Sequence, residues 1–152
     1  MEHKSFDTRA LLEGYRELLP QVDSLPLDVT GSSMSPFLVH GRDSVRLSAI
    51  RRPLHAGDIV LYQRDSGEYI LHRICRTDGS TYTMVGDAHT VVESGIRPDQ
   101  IFALVTEATR NGKKLTPGSF WWEFFEKIWI RILPLRPLVL RIVSSFRRQV
   151  RR

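Results

Sequence analysis

Hydrophobic and polar residues follow three different patterns along the chain, and these patterns divide it into three zones. Apolar residues at helical spacing in the first zone predict a helix over Asp7–Leu19 that ends at Pro20. From Leu25 to about Leu115, short apolar stretches alternate with turn sequences such as Asp78-Gly79, which is typical of β structure. The predicted strands are Leu27–Thr30, Ser44–Ile50, Asp58–Gln63, Tyr69–Arg76, Thr81–Val85 and Ile101–Thr109. We therefore expect a mainly β fold, a compact coiled sheet with a short N-terminal helix.

The third zone, residues 119–152, has a different chemistry. It begins with an aromatic stretch that includes Trp121 and Trp122, and prolines interrupt it at Pro134 and Pro137. Beyond the prolines, a run of apolar residues shares one helical face: Val139, Ile142, Val143, Phe146 and Val150. We expect a C-terminal amphipathic helical tail, and we predict two domains, a β domain over residues 1–118 and the tail over 119–152.

The positive charge of the protein lies in this tail. The whole chain has a formal net charge of +5, whereas residues 119–152 hold eight Lys or Arg and two Asp or Glu, a net of +6. The rest of the chain is therefore close to neutral. A single cysteine excludes an intramolecular disulfide, and five scattered histidines without paired spacing predict neither a metal site nor a cofactor.

Candidate catalytic residues lie in the β zone. Ser33 occupies a tight turn, Gly31-Ser32-Ser33-Met34-Ser35-Pro36, which can present a hydroxyl and a backbone N–H to a substrate carbonyl. His72 lies on a later predicted strand and can accept the serine proton near neutral pH. No lysine occurs between Lys4 and Lys113, so a lysine base is absent from this region. We expect a base that titrates near a histidine value, which is about 6.5 before any shift by its surroundings.

The order of these segments resembles the signal peptidase I and LexA-like serine peptidase superfamily. The Gly-x-Ser-Met-x-Pro box, the strand at His72 and a Gly86-Asp87 box match its serine/histidine branch, found in endoplasmic-reticulum and sporulation-type signal peptidases. The resemblance covers about residues 29–105. It implies a peptidase-like β core, Ser33 as nucleophile and His72 as general base. The Ser33 backbone N–H is the expected oxyanion donor, while Gly31 supplies no side-chain donor there.

Two carboxylates compete for the third position of the implied triad. Residue-by-residue matching to the family places it at Glu93, where the family usually has aspartate. Asp87, the acid of the Gly-Asp box, is the alternative that could orient the histidine. The resemblance leaves both open.

The tail offers alternative roles. An interfacial helix on an anionic membrane agrees with its apolar face and its arginines, whereas a helical pair packed on the β domain is the alternative. A spanning helix is not expected, since Arg131, Arg136, Arg141 and the prolines interrupt the apolar runs. No nucleic-acid-binding motif accompanies the charge. Residues 1–30 contain no long apolar run, so we expect a cytoplasmic protein, or one peripheral to the inner face of the membrane.

The sequence therefore predicts a serine endopeptidase that cleaves a leader or precursor peptide. A catalytically idle peptide-binding module is the main alternative. A LexA-like self-cleaving regulator is disfavoured by the missing lysine and by the short segment before Leu25.

Overall fold

Eight strands form one antiparallel sheet in the computed structural model, which describes the backbone of residues 2–150 and the side chains of residues 8–149. The strands are β1 Leu25–Asp28, β2 Ser44–Ser48, β3 Ile59–Gln63, β4 Tyr69–Thr77, β5 Tyr82–Val85, β6 Glu93–Ile96, β7 Ile101–Arg110 and β8 Lys113–Leu115. Their order across the sheet is β1-β2-β7-β3-β4-β5-β6, and β8 pairs with β7. The protein is mainly β, as the sequence predicted.

Helices lie at both ends of the chain. The first, α1 Glu2–Leu18, continues into a 3₁₀ turn over Leu19–Gln21. A second 3₁₀ turn, Pro98–Gln100, precedes β7. In the tail, α2 Phe120–Glu123 continues as a π-helix over Phe124–Trp129, followed by a 3₁₀ turn over Leu133–Leu135 and by α3 Arg136–Val150.

All six predicted strands are present, and two short strands were missed. β6 has no alternating apolar pattern, and it is a strand because it pairs with β5 at the sheet edge. β8 is mostly lysine and completes a hairpin with β7 around the turn at Asn111-Gly112. Neither strand carries a hydrophobic signal, because edge strands bury little. The first strand also begins two residues earlier than predicted, at Leu25.

Both faces of the sheet are covered by apolar side chains. Successive residues of β3 point to opposite faces, and Ile59 and Leu61 belong to a large core that α1 and the tail help to close. Val60 and Tyr62 belong to a second, smaller cluster on the other face, together with Ile74 of β4. β3 is thus buried on both sides, which explains its continuous apolar run.

The first half of the tail is part of the main core. Trp122, Phe125 and Trp129 are buried there, and Phe37 packs on two of them with ring centroids 6.1 Å from Trp122 and 4.9 Å from Phe125. Residues 141–149, in contrast, are all exposed. The tail therefore has a packed half and an exposed half, and the alternative of packing on the β domain describes the first of these.

No helix among residues 2–150 is both long enough and apolar enough to cross a lipid bilayer.

Replacing a buried aromatic of the tail should destabilise the whole fold. Phe125→Ala removes a side chain that is 3 % exposed, and we expect a loss of about 3–5 kcal/mol in the free energy of unfolding. Phe120→Ala is the matched control, because Phe120 is 72 % exposed, and it should cost less than about 0.5 kcal/mol. Urea unfolding followed by circular dichroism measures both. Equal stabilities of the two variants would contradict the packing of the tail.

Candidate active site

The turn that holds Ser33 is anchored on the core by its apolar residues. Met34, Phe37 and Leu38 are buried, whereas Ser33 itself is half-buried. Gly31 opens the turn with a φ of +75°, a conformation that favours glycine, and its N–H donates to His40 Nδ1 at 2.9 Å. This local anchoring fixes the serine backbone without using its hydroxyl.

Gly86 is the point at which the separate segments of the site meet. A Cβ at this position would lie 2.6 Å from the Ser33 carbonyl oxygen, 2.8 Å from His89 Nδ1 and 3.2 Å from His72 Nε2. The Ala88 N–H also donates to the Ser33 carbonyl at 2.9 Å. The structure thus brings the Ser33 turn and the His72 ring against the same glycine, and any side chain at Gly86 would push them apart.

His72 lies in the middle of β4, opposite Val60 of β3, and its side chain is buried. Its Nδ1 lies 3.5 Å from the Tyr62 hydroxyl oxygen, and that hydroxyl donates to Glu93 Oε1 at 2.5 Å. Tyr62 is fully buried between the two. The structure therefore connects His72 to Glu93, but through Tyr62 rather than directly.

Glu93 is held in its ionised form. Burial raises the pKa of its carboxyl, but the hydrogen bonds from Tyr62 and from Arg64 Nε, the latter at 2.8 Å, outweigh burial and leave the pKa below its ordinary value. Burial and the adjacent Glu93 carboxylate raise the pKa of the Tyr62 phenol, so Tyr62 remains protonated at neutral pH. Its proton points to Glu93, which leaves the oxygen to accept from His72 Nδ1–H.

The second candidate carboxylate has a different partner. Asp87 is fully buried and accepts two hydrogen bonds from Arg73, at 2.9 Å from Nε and 2.8 Å from Nη2. Arg73 also donates to the Gly57 carbonyl at 2.9 Å. Among the described residues, Asp87 makes no hydrogen bond to His72. Glu93, and not Asp87, is therefore the carboxylate that is linked to the Nδ1 side of the His72 ring.

The environment of His72 keeps its ring neutral. Burial is the main cause that lowers its pKa, to about 4; electrostatic interactions with His89 and Arg64 act in the same direction, while Glu93 opposes them. The pKa of His72 is thus shifted below the unshifted histidine value of about 6.5. With Nδ1–H directed to Tyr62, the lone pair of the neutral ring is on Nε2, the nitrogen that faces Gly86.

Two further groups complete the surroundings of Ser33. The Ser33 N–H donates to no protein acceptor within the described residues, so it can serve a substrate oxygen. The exposed His89 ring lies edge-on to His72, with centroids 5.6 Å apart. The Ser33 hydroxyl makes no hydrogen bond to His72 within the same residues; catalytic hydrogen bonds often tighten only when substrate is bound.

An open groove of about 640 Å³ lies beside His72. Its lining combines apolar side chains, such as Met84 and Val92, with ionisable ones, such as His89 and Glu93. Ser33 does not line this groove. The groove therefore approaches the site from the side of the histidine.

Two side chains of the tail donate hydrogen bonds to the loop that contains Gly86, Asp87 and His89. Arg136 is fully buried and donates to the carbonyls of Gly86 at 3.1 Å and His89 at 3.0 Å. Trp129 Nε1 donates to the Asp87 carbonyl at 2.8 Å, and Arg136 in turn donates to the Trp129 carbonyl. Sequence reasoning treated Arg136 only as a charge that interrupts the apolar runs of the tail. Its role depends on contacts some 50 residues away, and no local signal indicates them.

Tyr62 and Arg64 were also missed by sequence reasoning. They follow each other at i and i+2 at the end of β3, where tyrosine is an ordinary strand residue and arginine an ordinary edge residue. Only the pairing of β3 with β4 brings them next to His72.

A group of potential metal ligands lies elsewhere among the described residues. One ligand atom each from His55, Asp58 and Glu126 lies within 4.8 Å of the others. Both oxygens of Asp58 already accept hydrogen bonds from Arg52, at 2.8 and 2.9 Å. We assign no role to this group.

Acid should destabilise the protein through His72. Because its pKa is lower in the folded chain than in the unfolded chain, the unfolded chain takes up the proton first as the pH falls. The contribution of neutral His72 to the free energy of unfolding is fully present above about pH 6.5. It is lost as the pH falls toward about 4, and the loss is on the order of 3 kcal/mol. His72→Gln, which cannot titrate, should show a smaller loss in urea unfolding over this range. Parallel losses in both proteins would contradict the burial of a neutral histidine.

Comparisons with known proteins do not identify the chain: no family model matches it, and neither do any curated protein or solved structure.

Proposed function

We propose that the protein is a serine endopeptidase in which Ser33 is the nucleophile and His72 the general base. The observation that carries this proposal is the meeting at Gly86 of the Ser33 turn and the Nε2 face of a neutral, buried histidine. The resemblance to the signal peptidase I and LexA-like superfamily supports the same assignment. The antiparallel sheet is compatible with a peptidase core of that kind.

In the proposed mechanism, His72 Nε2 takes the proton of the Ser33 hydroxyl as its oxygen attacks the peptide carbonyl. The developing oxyanion accepts a hydrogen bond from the Ser33 N–H. The negative charge of this oxyanion favours the protonated form of the His72 ring, which offsets the low pKa that His72 has without substrate. The imidazolium then gives its proton to the leaving amine, and a water hydrolyses the acyl-enzyme by the same route.

Tyr62 and Glu93 orient the base in this proposal. The Tyr62 hydroxyl accepts from Nδ1–H and donates to Glu93, so it fixes the tautomer that leaves Nε2 basic. The Glu93 carboxylate adds a negative charge that stabilises the imidazolium through the phenol. The relay therefore does the work of the third triad residue with one tyrosine inserted.

We propose an extended leader or precursor peptide as the substrate. The groove beside His72 is open to solvent and has both apolar and polar side chains in its lining, and a groove of this kind can bind an extended peptide. A catalytically idle peptide-binding module is the alternative. It would use the same groove but would not need a basic Nε2 next to a serine.

A serine-reactive fluorophosphonate probe should label the protein at Ser33. We expect labelling and peptide hydrolysis to be lost in Ser33→Ala, since the nucleophile is gone, with a stability change below about 2 kcal/mol. Ser32→Ala is the matched control and should keep both, because Ser32 is the exposed neighbour in the same turn. Mass spectrometry of the labelled peptide identifies the site. A wild-type protein that the probe does not label would support the idle binding module instead.

The relay predicts a specific ranking of three variants. Tyr62→Phe should lower kcat/KM by about tenfold or more through loss of a hydrogen bond, and Glu93→Gln by on the order of 100-fold. Since Glu93 raises the pKa of His72, Glu93→Gln should also move the acid limb of the pH profile to lower pH.

Asp87→Asn is the control for this ranking. It breaks a buried ion pair and should cost about 3–5 kcal/mol of stability, without a shift of the acid limb in the protein that remains folded. Steady-state kinetics across pH, with thermal melts of each variant, distinguish the two effects. An acid limb that moves in Asp87→Asn but not in Glu93→Gln would assign the orienting role to Asp87.

A further inference from the structure

The exposed half of the tail presents an apolar face that nothing in the described part of the chain covers. Leu138, Ile142 and Phe146 lie four residues apart on one side of α3 and are 59 %, 48 % and 64 % exposed. Val143, beside them, is 41 % exposed. The helix is anchored only near its start, where Val139 and Leu140 pack against the main core. Its outer two turns therefore carry large apolar side chains in water.

The charges of α3 border this apolar face on both sides. At 100° per residue, Arg141 and Arg148 lie on one side of the face and Arg147 on the other. All three are exposed, and none forms an ion pair within the described residues. The sequence of α3 contains no acidic residue. An apolar face bordered by arginines is the pattern of a helix that lies in a membrane interface.

We propose that α3 docks on an anionic membrane surface, with its apolar face in the acyl boundary and its arginines at the lipid headgroups. Charge complementarity selects this occupant. A second copy of the chain would bring another set of arginines to the same face, and a nucleic acid would leave the apolar side chains in water. The 15 residues of α3 span about 22 Å, too short to cross a bilayer but sufficient to lie along its surface.

The first residue of α3 ties this surface to the candidate active site. Arg136 donates to the carbonyls of Gly86 and His89, so the loop that meets Ser33 and the start of the docking helix are joined by hydrogen bonds. Docking would therefore hold the site close to the lipid surface. If the proposed peptidase function is correct, its substrates would be precursors held at that surface. The docking itself does not depend on the peptidase function.

Binding of the full chain to vesicles tests the proposal. We expect it to co-sediment with vesicles that contain phosphatidylglycerol, and much less with phosphatidylcholine vesicles. Raising the salt concentration should weaken this binding without abolishing it, because screening removes the charge attraction but not the apolar burial. Ser33→Ala should bind like the wild type, so that a failure of the peptidase assignment leaves the outcome unchanged.

Two sets of variants separate the two contributions. The double variant Ile142→Asn/Phe146→Asn should bind at least about tenfold more weakly at any salt concentration. Each of Arg141→Gln, Arg147→Gln and Arg148→Gln should weaken binding about fivefold at low salt and less at high salt. The matched controls are Leu11→Asn and Arg76→Gln, exposed residues outside α3, and both should bind like the wild type. Circular dichroism verifies that the variants remain folded.

Three results would overturn the proposal. One is a wild-type protein that ignores phosphatidylglycerol vesicles at low salt. Another is binding that the α3 variants retain in full. The third is sedimentation or gel-shift data in which α3 mediates self-association or oligonucleotide binding while vesicles are ignored.

Discussion

The buried ion pair between Arg73 and Asp87 is the interaction on which the rest of the site depends. Taking both charges out of water is costly, and their two mutual hydrogen bonds, the Gly57 carbonyl and the Phe37 ring next to Arg73 offset that cost. The pair fixes Asp87 directly after Gly86, and Gly86 is where the Ser33 turn and the His72 ring meet. Arg136 and Trp129 add hydrogen bonds to the carbonyls of the same loop. Because buried charges fix this loop, it can hold the Ser33 turn and the His72 strand in constant positions relative to each other.

The electrostatics around His72 follow from this arrangement. A histidine that the sheet buries near Arg64 remains neutral, so its lone pair is available well below neutral pH. The compensating negative charge is on Glu93, which does not contact His72 directly but is hydrogen-bonded to Tyr62, the residue between them. The same arrangement has a cost in stability at acid pH, which connects the chemistry of the site to the stability of the fold.

The tail contributes both to the core of the fold and to the exposed surface of the protein. Its aromatic half completes the main core, and Arg136 at the start of α3 donates a hydrogen bond to the Gly86 carbonyl. Its outer half contributes nothing to the core and exposes an apolar face bordered by positive charge. One segment of about 30 residues thus combines a structural role with an exposed surface of distinct chemistry.

The sequence by itself determined the strands with strong apolar patterns, the N-terminal helix, the amphipathic tail and the candidates Ser33 and His72. These features depend on local periodicity, on turn residues and on a short motif of consecutive residues. It did not determine β6 or β8, which are strands only because a neighbour pairs with them. It also left Glu93 and Asp87 undecided, because a carboxylate acquires its role from its partner. Tertiary structure alone gave Asp87 to Arg73, placed Tyr62 between His72 and Glu93, and buried Arg136, since each of these contacts joins residues more than six positions apart in the chain.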